Sequence, residues 1–170
     1  MVNISQSKEN SYGFKAVIPF LTILFLIIIM VLPYKIPLIS DIMPFLTLIG
    51  VYYWSVFKPE LLPIGVVFIL GLLQDVLLGS PLGLMPLLLI VVQQFIYMQG
   101  RQFLERDFLF NWFVFVMIVS GFGFLSWGIA SIYFKTLLDY WSILGQIFLT
   151  IAFYPIITGL LGITRKLVDR

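Results

Sequence analysis

Cysteine and histidine are both missing from the 170 residues. Without cysteine there are no disulfides, no thiolate nucleophiles and no thiolate-ligated metals. Without histidine the usual zinc ligand and the commonest general base are gone. Charge is scarce too: 11% of residues are charged, against about 25% in a typical soluble domain. Ten basic and eight acidic residues are too few to coat a water-soluble surface of this size, and a net charge of +2 makes no basic patch for nucleic acid. These shortages exclude an ordinary soluble enzyme and a nucleic-acid binder. What the chain has instead is apolar surface, with 61% hydrophobic residues.

The charges are bunched, and the gaps between them carry the signal. Ala16 to Tyr34 is an uncharged run of 19 residues. Further runs are Ile42 to Phe57, Leu61 to Gln74, Val76 to Gly100, Phe108 to Phe134 and Tyr140 to Thr164. A membrane-spanning helix needs about 20 mostly apolar residues, roughly 17–25. The first, fifth and sixth runs meet this alone. The second meets it if Ile39–Met43 joins it or the helix is short, and the third if Asp75 lies inside a helix from about Leu61 to Leu78. The pattern predicts an all-α, polytopic membrane protein with six transmembrane helices over 16–164, an N-terminal tail at 1–15 that is polar and loosely ordered over 1–13, and a short tail at 165–170. Leu32-Pro33-Tyr34-Lys35 offers no small-residue cleavage site, so the first run reads as an uncleaved helix rather than a signal peptide.

Orientation follows from Lys and Arg. Six spans place Lys8, Lys15, Lys58, Arg101, Arg106, Arg165, Lys166 and Arg170 on one side, and only Lys35 and Lys135 on the other. The richer side is expected to be cytoplasmic, with both termini. Tyr52, Tyr53, Trp54, Tyr97 and Trp112 are expected near the inner interface, and Tyr34, Trp127, Tyr133, Tyr140 and Trp141 near the outer one.

Asp75 is the one acid well inside an apolar stretch. At about 1.5 Å per residue it stands about 22 Å above Glu60, in the outer part of the membrane. Buried carboxylates of this kind face protein or water. Asp75 can serve as a proton relay, a ligand contact or a tie to a partner helix, or it can accept hydrogen bonds in the bend at Gly79-Ser80-Pro81-Leu82-Gly83. Gly71, Asp75 and Gly79 recur every four residues, so small residues flank the acid on one helical face. Which element meets that face stays open. Gln93, Gln94 and Gln146 read as amides bonded across helices. Ser120, Gly121, Gly123, Ser126, Gly128, Ala130 and Ser131 predict tight packing of the fifth helix, and Pro155 a kink in the sixth. The loop Arg101–Asp107 reads as a solvated connection. No paired acids, phosphate loop or metal cluster is visible, so no catalytic, cofactor or metal residue is named.

The stretch Gly71-Leu72-Leu73-Gln74-Asp75-Val76-Leu77-Leu78-Gly79-Ser80-Pro81-Leu82-Gly83 resembles the hallmark of the rod shape-determining protein MreD family. Pro44, Tyr53-Trp54 and Pro59 upstream, and Arg101 and Arg106 downstream, are similar as well. The resemblance implies Gly71, Gln74, Asp75, Gly79, Pro81 and Gly83 as structural or partner-binding residues. It implies a non-enzymatic protein of the bacterial inner membrane that links and regulates lateral peptidoglycan synthesis. The implied partners are a bitopic MreC-like protein, MreB filaments, the RodA glycosyltransferase and a penicillin-binding transpeptidase. The family is similar in architecture to the six-helix substrate-binding subunits of energy-coupling-factor vitamin transporters, which supplies an alternative: a small-molecule binding subunit. Those subunits carry small residues at four-residue spacing on the first helix, and Ala16 to Tyr34 lacks that spacing.

Overall fold

The computed structural model describes the backbone of residues 3–31, 43–99, 107–137 and 139–168, with side chains from 17 onward and up to 166. Lys35, Arg101, Arg106 and Arg170, on which the expected orientation partly rests, lie outside the described residues. Among the described residues six α-helices follow one another: α1 (Asn3–Val31), α2 (Leu46–Phe57), α3 (Ile64–Leu78), α4 (Leu84–Gln99), α5 (Phe108–Phe134) and α6 (Tyr140–Val168). A single 3-10 turn, Pro59–Leu61, sits between α2 and α3.

The short helix α2 is the axis of the fold. It packs on α1, α4 and α6, and the others close around it in the order α1–α3–α4–α5–α6–α1. All of its residues except Phe57 are buried. Its sequence, rich in β-branched and aromatic residues, has little intrinsic helix preference. Away from water, however, a helix satisfies its backbone within the segment, and that decides the conformation.

Polar groups on the surrounding helices then pin α2. The Phe45 N–H, just before its first turn, donates to Thr150 Oγ1 on α6 at 2.9 Å. The Trp54 indole N–H donates to Thr22 Oγ1 on α1 at 3.0 Å. The Tyr52 hydroxyl donates to the Asn111 carbonyl on α5 at 3.1 Å. Tyr52 also meets Phe115 edge-on at 5.1 Å, and Phe115 stacks on Tyr154 at 4.2 Å. Tyr52, Tyr53 and Trp54 are thus core residues. They lie on the one helix that protein covers on all sides, so none of the three belongs to the outer surface of the bundle. Tyr133, Tyr140 and Trp141, expected at the other interface, are exposed.

The outer faces of the bundle are apolar. Phe25, Phe68, Val76, Met117, Phe148 and Ile163 are all exposed, the reverse of a water-soluble surface. Phe108–Phe134 and Tyr140–Lys166 are long and apolar enough to cross a bilayer. The apolar helices Val17–Val31, Leu46–Phe57, Ile64–Leu78 and Leu84–Gln99 are shorter than the roughly 17 residues of an independent span.

One further expectation changes. Residues 3–13, within the stretch expected to be loosely ordered, continue α1 as helix, because extending an existing helix avoids the cost of nucleation. Pro155 lies within an α6 that continues on both sides of it. Small residues on α5 divide in their roles. A Cβ on Gly123 would come within 2.7 Å of Ile147 on α6, whereas Gly121 and Gly128 face open space.

Candidate functional site

The segment 71–86 folds as a helix, a tight turn and a second helix. Helix α3 ends at Gly79, whose φ of 69° is left-handed, a conformation that glycine adopts without the Cβ penalty. The N–H groups of Gly79 and Ser80 both donate to the Asp75 carbonyl, satisfying one of the carbonyls a helix end leaves open. Pro81 O then accepts from Leu84 N–H at 3.1 Å. Gly83 carries the second positive φ, 95°, and α4 begins directly after it.

The first turn of α4 has no capping side chain of its own, because glycine stands before Leu84. Asp75 supplies it from the neighbouring helix. Its Oδ2 accepts the Gly83 N–H at 2.8 Å, and the Met85 N–H lies 3.3 Å from both carboxylate oxygens. Ser80 Oγ donates to Oδ1 at 2.6 Å. A carboxylate at a helix N-terminus satisfies orphan N–H groups and complements the helix dipole. Pro86, third in α4, has no N–H to satisfy, and Leu87 N–H reaches Gly83 O at 3.2 Å. Every donor at the start of α4 is therefore matched. Asp75 is 0% exposed, and each of its side-chain contacts is one in which it accepts.

One turn below the acid, α3 and α4 touch backbone to backbone. A Cβ on Gly71 would lie 2.6 Å from the Pro86 Cα and 2.7 Å from its N. The face bearing Gly71 and Asp75 thus meets α4 of the same chain, whereas Gly79 is exposed at the turn and a Cβ there would meet nothing within 4 Å. Gln74 is 2% exposed, and its Oε1 has no hydrogen-bond partner among the described residues. Of the six residues singled out in the sequence, Gly71, Asp75, Gly79, Pro81 and Gly83 form this hairpin and Gln74 is buried beside it.

At the opposite end of the hairpin α4 holds the connection leading into α3. Gln93 Nε2 donates to the Leu62 carbonyl at 2.7 Å, and the Tyr97 hydroxyl to the Pro59 carbonyl at 3.0 Å. Gln93 therefore bonds across elements, as expected of an intramembrane amide, whereas Gln94 Nε2 is buried without a partner among the described residues. Sequence reasoning missed Thr22, Thr150 and Asn111, whose contacts tie α2 to three helices. No group of three or more metal-ligating side chains occurs among the described residues.

The model for the family described as rod shape-determining protein MreD matches residues 12–163. No curated protein and no solved structure matches the chain. The match includes the whole Asp75 hairpin and all six helices apart from their outermost ends, and it assigns a role in determining rod shape. The chain belongs to the rod shape-determining protein MreD family.

Proposed function

We propose that the chain is a non-catalytic, multi-pass scaffold of the bacterial inner membrane. It supports the rod-shape elongation complex by binding an MreC-like bitopic protein. Through that assembly it acts with MreB filaments, the RodA glycosyltransferase and a penicillin-binding transpeptidase. The observation that carries this reading is the family match over 12–163. The hairpin is consistent with it: the one deeply placed acid spends its acceptors on the turn and on α4.

The reading includes six spans with both termini in the cytoplasm. The shortness of α2 is no obstacle to this, because irregular backbone at membrane depth is tolerated where protein surrounds it. Helices α3 and α4 are longer, and the closed turn between them leaves few backbone groups needing water. Lys58, Arg165 and Lys166 fall at one end of the bundle and Lys135 at the other, in line with the positive-inside rule.

The experiment is affinity isolation of the full chain from its own membranes. Recovery of an MreC-like protein is expected. Recovery of transporter ATPase subunits instead would favour the vitamin-binding alternative and overturn this reading.

A further inference from the structure

The end of the bundle that carries the Asp75 turn is stepped. The opposite end supplies a common level to measure from. There the Arg165 guanidinium lies over the Phe57 ring at the end of α2, Lys58 and Glu60 follow directly, and the Tyr97 hydroxyl of α4 reaches the Pro59 carbonyl. From this level α2 rises about 16 Å to Leu46, and α4 about 20 Å to the Asp75 turn, at about 1.5 Å per residue. The start of α2 is level with Phe122 on α5, whose ring meets Phe45 at 5.1 Å, and with Thr150 on α6. Thr47 at that same level donates to Met30 Sδ, one residue before α1 ends. Helix α5 then continues from Phe122 to Phe134, and α6 from Thr150 up to Tyr140, a further 15 to 18 Å or about that. Among the described residues, the α5–α6 tip thus overhangs the Asp75 turn by more than about 10 Å.

In the six-span reading, on which this inference rests, both sides of the step face lipid. Val76 on α3 and Leu82 in the turn are 62% and 72% exposed, and Phe124 on α5 is 54% exposed. With 15 residues α3 is about 22 Å long, and with 27 residues α5 is about 40 Å long. A bilayer core measures about 30 Å. Tilting cannot fit both edges to it, because a tilt that lowers α5 to 30 Å lowers α3 as well. The α3–α4 edge therefore falls about 8 Å short of an undeformed bilayer. Hydrocarbon cannot simply close over the turn. Its N–H groups are matched, but the carbonyls of Val76, Leu77 and Leu78 accept from no described residue. Stranding backbone acceptors in hydrocarbon costs more than drawing a leaflet down by a few ångströms.

We infer that the α3–α4 edge is a lipid-facing surface that thins the bilayer locally, with headgroups and water drawn down to the Asp75 turn. The lipids that fit this edge have short or strongly disordered acyl chains. The α5–α6 edge, one helix away, holds the same leaflet at its full height. The rod-shape role is not needed for this.

The chain has no cysteine, so single thiols can report depth. Leu82→Cys, Glu60→Cys and Phe124→Cys each alter an exposed side chain, and each carries one fluorophore. The full chain is reconstituted in phosphatidylcholine with a hydrocarbon core of about 30 Å. A nitroxide on the lipid headgroup or at the acyl-chain end quenches the fluorophore. Phe124 stands at about the height of Leu82 but on the tall edge. The expected ratio of headgroup to chain-end quenching is above one for Leu82→Cys and Glu60→Cys, and below one for Phe124→Cys. A ratio below one at Leu82 or at Glu60, with Phe124 also below one, overturns the thinned edge and leaves the six-span reading standing. A Leu82 fluorophore quenched by neither lipid nitroxide, but by an aqueous one, overturns it too, since a water-filled crevice then replaces the lipid. Failure of both lipid nitroxides at Leu82, Glu60 and Phe124 alike overturns the six-span reading together with the inference.

Discussion

Gly71 lies so close to Pro86 that a Cβ on it would stand 2.6 Å from the Pro86 Cα. The obstacle is backbone, which cannot swing aside as a side chain does. Gly71→Ala therefore forces α3 and α4 apart. Overpacking of this kind costs about 1–3 kcal/mol. Gly65, also on α3, faces open space, and Gly65→Ala is expected to be neutral or to stabilise by up to about 1 kcal/mol. Unfolding in detergent with graded denaturant separates the two. Equal effects would contradict the close approach.

Removing the Asp75 carboxylate exposes a different weakness. Asp75→Leu leaves the Gly83 and Met85 N–H groups without their acceptor, at about 1–3 kcal/mol for each group stranded away from water. Asp75→Asn keeps one oxygen and is expected to lose less. Ser80→Ala removes only the hydroxyl contact, worth about 1 kcal/mol. The order Leu, Asn, Ala from worst to mildest is the expected result in the same unfolding assay. Full stability of both Asp75 variants, with activity lost equally in cells, would instead point to a charge or proton that the protein needs.

Thr150 is tied to the N-terminal end of α2. Its hydroxyl takes the Phe45 N–H from a residue 105 positions earlier and itself donates to the Gln146 carbonyl at 2.6 Å. Thr150→Val keeps the shape and loses the acceptor, for an expected cost of about 1–3 kcal/mol. Thr164 offers the control. Its hydroxyl contacts only the Leu161 carbonyl of its own helix, so Thr164→Val is expected to be close to neutral. Indistinguishable losses would show that α2 does not depend on this contact.

Much of this was legible in the sequence, and the unread part has a physical reason. The four-residue spacing of Gly71 and Asp75 marks a close-packed face, because helical spacing is local information. That the acid reaches Gly83 and Met85 depends on the register in which α4 begins, which no local pattern carries. The run from Ile42 to Phe57 looks like any other span, so neither the central place of α2 nor the burial of Tyr52 and Trp54 within protein can be read from it. Thr22 and Thr150 gave no signal, because an isolated hydroxyl in an apolar run acquires its role from partners far away in the chain, and the Asn111 contact uses a main-chain carbonyl that any residue there would carry. The extension of α1 back to Asn3 was missed for the opposite reason, because polar composition suggested a tail where helix propagation prevails.

The absence of cysteine makes topology directly measurable, since any introduced thiol is unique. Leu137 is 88% exposed in the α5–α6 connection, and Glu60 is exposed in the turn before α3. In intact cells, Leu137→Cys is expected to react with a membrane-impermeant maleimide. Glu60→Cys is expected to react only after the membrane is opened. The reverse pattern would invert the orientation, and labelling of both in intact cells would break the alternation of spans.

A role in rod shape is tested most directly by depletion of the protein in its own bacterium. Cell width and length are measured by microscopy as the protein disappears, with the wild-type chain resupplied as the control. Rods that widen and round, and recover on resupply, are the predicted result. Rods of unchanged dimensions after full depletion, with loss of vitamin uptake in their place, would contradict it.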